Sequence, residues 1–164
     1  AAMAPAEAAA HLLTVLEELT PAQTGGFYDW QGKSVTISGD TAKSQMLADM
    51  AKGTDLLVHE VLNRDLVETM AQAADKHGQP KRGKIFRDIK DYHASPEEAG
   101  DVAKVAGAKM LAFTHVVPSL PRPLMRLVTL GADTHYTGPI RTMRDGDLLS
   151  INGKDEPAYR NLLD

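Results

Sequence analysis

At 164 residues the chain holds one domain's worth of material, and with 43% hydrophobic residues it can bury a core. A charged fraction of 24% and a net charge of -4 argue against a general polyanion-binding surface and leave room for a local basic patch. The chain has no cysteine, which removes disulfides and thiolate metal sites, and no apolar stretch approaches the ~20 residues of a membrane span.

The Ala-rich start lacks the basic-then-apolar order of a signal peptide, so the chain reads as soluble, with the cytoplasm the favoured compartment. Its opening, Ala1-Ala2-Met3, reads as a processed, tagged or truncated terminus. Residues 6–19, rich in Ala, Leu and Glu without Gly or Pro, predict a helix ended by Thr20-Pro21 and Gly25-Gly26. This divides the chain into an amino-terminal helical segment, 1–24, and a main unit, 25–164. His11 lies inside the helix and takes a surface or packing role. Phe27 to Trp30 and Lys33 to Ser38 read as strands around a Gln31-Gly32 turn.

Met46, Leu47, Met50 and Ala51 share one helical face, with Gly53 placed to end it. Leu62, Leu66, Met70 and Ala73 repeat at helical spacing until Gly78, and these apolar residues are expected in the core. No period is visible from Gln79 to Tyr92, which reads as a functional or mobile loop. Lys76, Lys81, Arg82, Lys84, Arg87 and Lys90 make this stretch basic, for which a solvated loop is the simpler explanation. Ser95-Pro96-Glu97-Glu98 is a helix start, with a Ser cap, Pro at the first position and acidic charge facing the helix dipole. Ala99, Val102, Ala103 and Ala106 supply its inward face and Gly107 its end. Beyond His115 come Pro118, Pro121 and Pro123, a short helix around 124–130, and a hairpin over 141–151 turning at Asp145-Gly146.

Three short apolar runs each lead to a metal-binding residue type: Val35-Thr36-Ile37-Ser38-Gly39-Asp40, Leu56-Leu57-Val58-His59-Glu60 and Met110-Leu111-Ala112-Phe113-Thr114-His115. Each has the length and aliphatic content of a buried strand, and each is followed by helical periodicity, the pattern of an α/β layer. In such sheets ligands gather at the carboxyl ends of the strands. Asp40, His59, Glu60 and His115 are therefore expected at one edge, where a carboxylate and imidazoles can hold a divalent cation such as zinc. Taken singly, each has a plainer explanation: a hydrogen-bonded structural histidine, or a turn at Gly39-Asp40-Thr41 that caps the next helix. Their joint occurrence favours a site. His93 adds an imidazole just ahead of the Ser95 cap, at a helix amino terminus whose N–H groups attract anions.

Ser38-Gly39-Asp40-Thr41, His59-Glu60-Val61, His93-Ala94-Ser95-Pro96-Glu97-Glu98-Ala99 and Thr114-His115 with Pro118 close behind, in that order, resemble the carboxyl-terminal half of metallo-β-lactamase-fold hydrolases. The order looks most like the ribonuclease Z and arylsulfatase-like branch and runs from about Tyr28 to Ile151. The resemblance implies an α/β fold, half of an αββα sandwich with a mixed sheet and flanking helices. It also implies a two-zinc centre in which Asp40 is the bridging carboxylate and His115 the late histidine ligand. Glu60 matches the glutamate of the branch's His-Glu-Ala-Thr motif, with Val61 and Leu62 in the last two places. His93 matches the histidine of its His-Ser-Thr motif, which contacts the scissile group and donates a proton. A hydrogen bond from His93 to Glu60 would orient the imidazole and raise its basicity.

The family's His-x-His-x-Asp-His motif and its middle histidine ligand are absent from the sequence, and His77 and His135 lie in a polar loop and near a turn. The resemblance thus implies a zinc-dependent hydrolase of phosphodiester or related ester bonds, of which this chain holds half the site and is inactive alone. A cleaved or omitted segment, or a partner, would supply the rest. An exposed half-domain face implies association, as a homo-oligomer or otherwise. Two alternatives stand beside this reading. One is a metal-free half-domain without catalysis. The other is an RNA-processing nuclease of ribonuclease Z type, favoured by the basic stretch near 81–90 and opposed by the acidic overall charge. The substrate is then a small-molecule ester or phosphodiester, or RNA, with no membrane partner implied.

Overall fold

A five-stranded mixed sheet organises the fold. The computed structural model describes residues 5–18, 27–28, 32–151 and 158–161. Its strands lie in the order β1 (Phe27–Tyr28), β2 (Ser34–Ile37), β3 (Leu56–Leu62), β4 (Leu111–Val117) and β5 (Ile140–Thr142). β1 pairs antiparallel with β2, and the three remaining pairings are parallel. The central strand, Leu-Leu-Val-His-Glu-Val-Leu, is buried almost throughout, as a parallel strand covered on both faces must be.

Strand alternation divides the core in two. Leu57, Val61, Leu111 and Phe113 face a helical layer of α2 (Gln45–Met50), α5 (Pro96–Ala106) and α7 (Ala132–His135), meeting Ala48, Ala99, Val102, Ala103 and Ala132. Leu56, Met110 and Ala112 point the other way and pack with Val35, Val58, Met143, Leu149 and Ile151. β6 (Asp147–Ser150) covers that side, paired antiparallel with β7 (Ala158–Asn161). The α/β class, with a mixed sheet and flanking helices, is as the sequence implies. No helix among the described residues is long and apolar enough to cross a membrane.

Several local expectations change. In α2, Met46 and Met50 are exposed and Ala48 and Ala51 are buried, because this short helix meets α5 through small side chains of both. Leu62 ends β3, and helix α3 (Arg64–Lys76), capped by Asn63, buries Val67, Ala71 and Ala74 where Leu66, Met70 and Ala73 were expected. The segment expected as a loop at 79–92 is mainly helix: α4 (Pro80–Asp88), with Pro80 at its start, runs into a 3-10 turn at Ile89–Asp91. α4 lies so close to α3 that a Cβ at Gly83 would stand 3.0 Å from the Ala71 carbonyl and against the Asp75 carboxylate. That approach selects the Ala71–Ala74 face of α3 for burial. Two of the basic residues of this stretch face acids of α3, Arg87 on Asp75 and Glu68 and Lys90 on Glu68, while Lys84 pairs with Asp88 within α4.

The expected hairpin over 141–151 has its turn but not its pairing. β5 joins the main sheet beside β4, while β6, past Asp145-Gly146, pairs with β7. The predicted helix at 124–130 is a 3-10 turn, Arg122–Leu124, followed by α6 (Met125–Val128). At the amino end, α1 (Pro5–Glu18) leaves Leu12, Leu13 and Leu16 exposed. The helix stop expected at 20–26 and Gln31 of the expected hairpin turn lie outside the described residues.

Candidate metal and catalytic site

Parallel pairing of β2, β3 and β4 sets their carboxyl ends on one side of the sheet, and the loops beyond them build the site. After β2 the chain turns through Gly39, whose φ of 62° suits a residue without a Cβ, and presents Asp40. Ser38 fixes this corner: its N–H donates to the Val58 carbonyl at 2.9 Å and its hydroxyl accepts the Glu60 N–H at 3.1 Å.

His115 reaches Asp40 through an irregularity in β4. Glu60 pairs with Thr114 and Val61 with Val116, so His115 is the extra residue of a bulge. Its φ is 42°, the left-handed region that a non-glycine residue adopts only when its surroundings enforce it. The bulge swings the ring out of strand alternation, and His115 Nδ1 lies 2.9 Å from Asp40 Oδ1.

His93 arrives from the entry to α5. The Ala94 carbonyl accepts from the Leu62 N–H at 2.8 Å, and the His93 carbonyl accepts from Arg64 at 3.3 Å. Just beyond, Ser95 accepts from the Glu98 N–H while the Glu98 carboxylate accepts from the Ser95 N–H, a complete capping box. Arg64 also pairs with Glu98 at 2.8 Å, tying the start of α3 to that of α5.

Glu60 joins strand to loop. Its Oε1 accepts the Ala94 N–H at 2.6 Å and its Oε2 lies 2.9 Å from His93 Nδ1. A carboxylate in that position places the proton on Nδ1 and leaves Nε2 as the free lone pair of His93. Burial pushes the Glu60 carboxyl above its ordinary range, against the opposing pull of the Ala94 N–H, His93 and the Thr41 N–H. The pair is enclosed, with side-chain exposures of 1% for Glu60 and 6% for His93, whereas Asp40 and His115 stand open at 62% and 49%.

Asp40, His93 and His115 each offer one ligand atom, and the three atoms lie within 4.8 Å of one another. Two imidazoles and a carboxylate, with one imidazole backed by a second carboxylate, fit a borderline divalent ion such as zinc. Of the residues singled out from sequence, Asp40, Glu60, His93 and His115 thus come together. His59 does not. It lies within β3, wholly buried, with Nδ1 2.7 Å from the Glu60 carbonyl oxygen. Neighbouring strand residues point to opposite faces, so His59 and Glu60 could not both serve one site.

Two features escape sequence reading. Arg64 carries no motif that would mark it, and its role depends on contacts across two helices. His135 Nδ1 lies 2.8 Å from Asp101 Oδ1, with Lys43 on the other carboxylate oxygen, a third histidine–carboxylate pair, this one between α5 and α7. His11 is exposed on α1, and His77 is exposed at the end of α3.

These features define an α/β protein with a metal-ligand cluster at the carboxyl ends of parallel strands. No protein-family model matches the chain. It is 40% identical over 100 residues to ribonuclease Z of Mycobacterium avium (strain 104), covering 60% of this chain and 32% of that protein. It is 34% identical over 114 residues to ribonuclease Z of Mycobacterium tuberculosis (strain ATCC 25618 / H37Rv), covering 70% and 38%. Among solved structures it is similar to the metallo-β-lactamase fold protein YhfI from Bacillus subtilis, at 22% identity and a TM-score of 0.46, over 68% of this chain and 37% of that one. The chain is similar in sequence to proteins named ribonuclease Z, and it spans about a third of the length of the M. avium relative.

Proposed function

We propose that this chain carries one half of the active centre of a zinc-dependent phosphodiesterase whose substrate is RNA. The observation that supports it most directly is the meeting of Asp40, His93 and His115 over the buried Glu60. Similarity to proteins named ribonuclease Z favours RNA over a small ester.

In this reading Asp40 and His115 are metal ligands. Zinc bound there would polarise the phosphodiester and make hydroxide available near neutral pH. Glu60 holds the proton of His93 on Nδ1 and fixes the ring plane. When His93 is doubly protonated, its outward Nε2–H donates to the leaving oxygen. The capping box and Arg64 fix the backbone that carries this ring, and the exposed rim at Asp40 and His115 leaves room for a polynucleotide.

The test is hydrolysis of an RNA oligonucleotide and of bis(p-nitrophenyl) phosphate with added zinc, comparing the native chain with Asp40→Ala and His93→Ala. Turnover that depends on both residues is expected once the remaining ligands are supplied in cis or in trans. Turnover indifferent to Asp40 would sink the proposal. A second reading, an inactive metal-free half-domain, draws on one specific observation: the sequence contains no His-x-His-x-Asp-His. Metal analysis of the purified chain separates the two.

A further inference from the structure

We infer that the ring of Tyr92 is a stacking platform for one nucleobase of the RNA, the base of the nucleotide beside the scissile phosphate. The inference rests on the proposed function for its substrate class and for the seat of that phosphate over His93. It adds a residue that holds the substrate and takes no part in proton transfer or metal binding.

Three observations carry it. The first is exposure. Tyr92 and His93 are neighbours in the chain, yet the His93 side chain is 6% exposed and Tyr92 is 53% exposed. An aromatic ring left in solvent at the rim of a site offers a face that a planar ligand can cover. The second is contact. The ring centroids of Tyr92 and His93 lie 5.0 Å apart with the planes tilted by 44°, and those of His93 and His115 lie 5.3 Å apart with a tilt of 54°. A chain of ring contacts thus links the open rim at His115 to Tyr92 through His93. A phosphate over His93 lies one ring away from Tyr92, so the base it carries meets an aromatic face.

The third observation is rigidity. Tyr92 follows the 3-10 turn Ile89–Asp91, in which Lys90 is paired with Glu68 of α3. On its other side the His93 carbonyl accepts from Arg64 and the Ala94 N–H donates to Glu60. With the backbone held at both ends, ordering the platform costs the freedom of two side-chain torsions. The pairing also favours a base over a phosphate as the partner here. Arg87 and Lys90, the cations that most closely precede Tyr92 in the chain, already face Glu68 and Asp75, and stacking asks no charge of a chain whose net charge is -4. Every base has a π-face, so Tyr92 holds RNA with little preference for sequence.

The experiment measures binding of the full chain, at low salt, to a fluorescein-labelled single-stranded oligoribonucleotide and to an abasic ribose-phosphate strand of equal length, read by anisotropy. The native chain should bind the base-bearing strand more tightly by about 5–150-fold. Tyr92→Ala should lose that advantage while binding the abasic strand as the native chain does, so the two losses do not add. Tyr92→Phe should keep the advantage. Tyr92→Leu, which retains an apolar cover for His93 without a π-face, should lose most of it, an outcome that a merely structural tyrosine would not give. Should Tyr92→Ala misfold, the native chain supplies a second readout: its Tyr92 ring-proton resonances should move upfield with the base-bearing strand and stay in place with the abasic one. Equal affinity of the native chain for both strands, no binding of either, a Tyr92→Ala variant with the native advantage, or unmoved Tyr92 resonances would each overturn the inference. Tyr92-dependent binding without Asp40-dependent hydrolysis would leave it standing and count against the proposed function alone. Asp40-dependent hydrolysis of RNA with an unchanged KM in Tyr92→Ala would do the reverse.

Discussion

Glu60 and His93, thirty-three positions apart in the chain, meet at 2.9 Å in a pocket closed to solvent, and the same carboxylate also holds the backbone of Ala94. Strand β3 is thereby joined to the entry of α5 through one side chain. Glu60→Gln keeps the size and an acceptor for Ala94 but removes the charge facing His93. Once the remaining ligands are supplied, it should reduce metal-dependent turnover by about 10–100-fold. Glu60→Ala leaves the Ala94 N–H without its acceptor and should lower stability by about 1–3 kcal/mol. Urea unfolding and steady-state kinetics on both variants check this. If Glu60→Ala unfolds at the native urea concentration, the pair does not hold the loop.

His115 offers a test of strain. Glycine accepts its φ of 42° without penalty, so His115→Gly should leave stability unchanged or raise it by up to about 1 kcal/mol. The same variant should lose zinc binding. Thermal melting with and without zinc reads both effects. A drop in melting temperature in the metal-free variant would mean that the imidazole supports the fold.

His59 should make the fold sensitive to mild acid. Burial lowers its pKa, opposed by the contact with the Glu60 carbonyl, and among the described residues Nε2 has no hydrogen-bond partner. Unfolded, the ring takes a proton near 6.5; folded, it does so only at lower pH. Below the unfolded value the unfolded state binds more protons, so stability falls as pH drops from about 6.5 toward the lower folded value. His59→Leu should flatten that part of the curve. An identical slope in denaturant unfolding at pH 5 to 7 would refute it.

Ser95→Ala removes the hydroxyl that accepts the Glu98 N–H and donates to the Glu97 carboxylate, and should cost about 1 kcal/mol, with Ser95→Thr, which keeps the hydroxyl, recovering most of it. Because the cap follows His93 so closely, the Ala variant should also speed amide exchange at Ala94. Protection at Ala94 equal to that of the native chain would show that the loop is held by Glu60 and Arg64 alone.

The sheet and most of the site are legible in the sequence because their signals are local. Aliphatic runs mark β2, β3 and β4, the Ser-Pro-Glu-Glu string marks the start of α5, and the ordered motifs carry Asp40, Glu60, His93 and His115. What stays hidden depends on neighbours. The α4 segment has no apolar period of its own, and Arg87, with Lys90 just beyond it, finds its partners on α3. The buried face of α3 is set by Gly83 of another helix, and Met46 and Met50 look like core until the alanine contact between α2 and α5 turns them outward. His59 was misplaced because a strand run reads the same whether its last polar residues lie at the rim or mid-strand. His115 reached the site through a bulge that no residue in the run announces.

The residues that could ligate an ion follow β2, precede α5 and interrupt β4, so no short stretch of chain contains a chelating pair. An unfolded chain must therefore close long loops before it can grip an ion, and ligation contributes little to the early, local steps of folding. An ion held here would act as a late latch: it would lengthen the lifetime of the native state by slowing unfolding, while the rate at which the sheet first assembles would stay as it was.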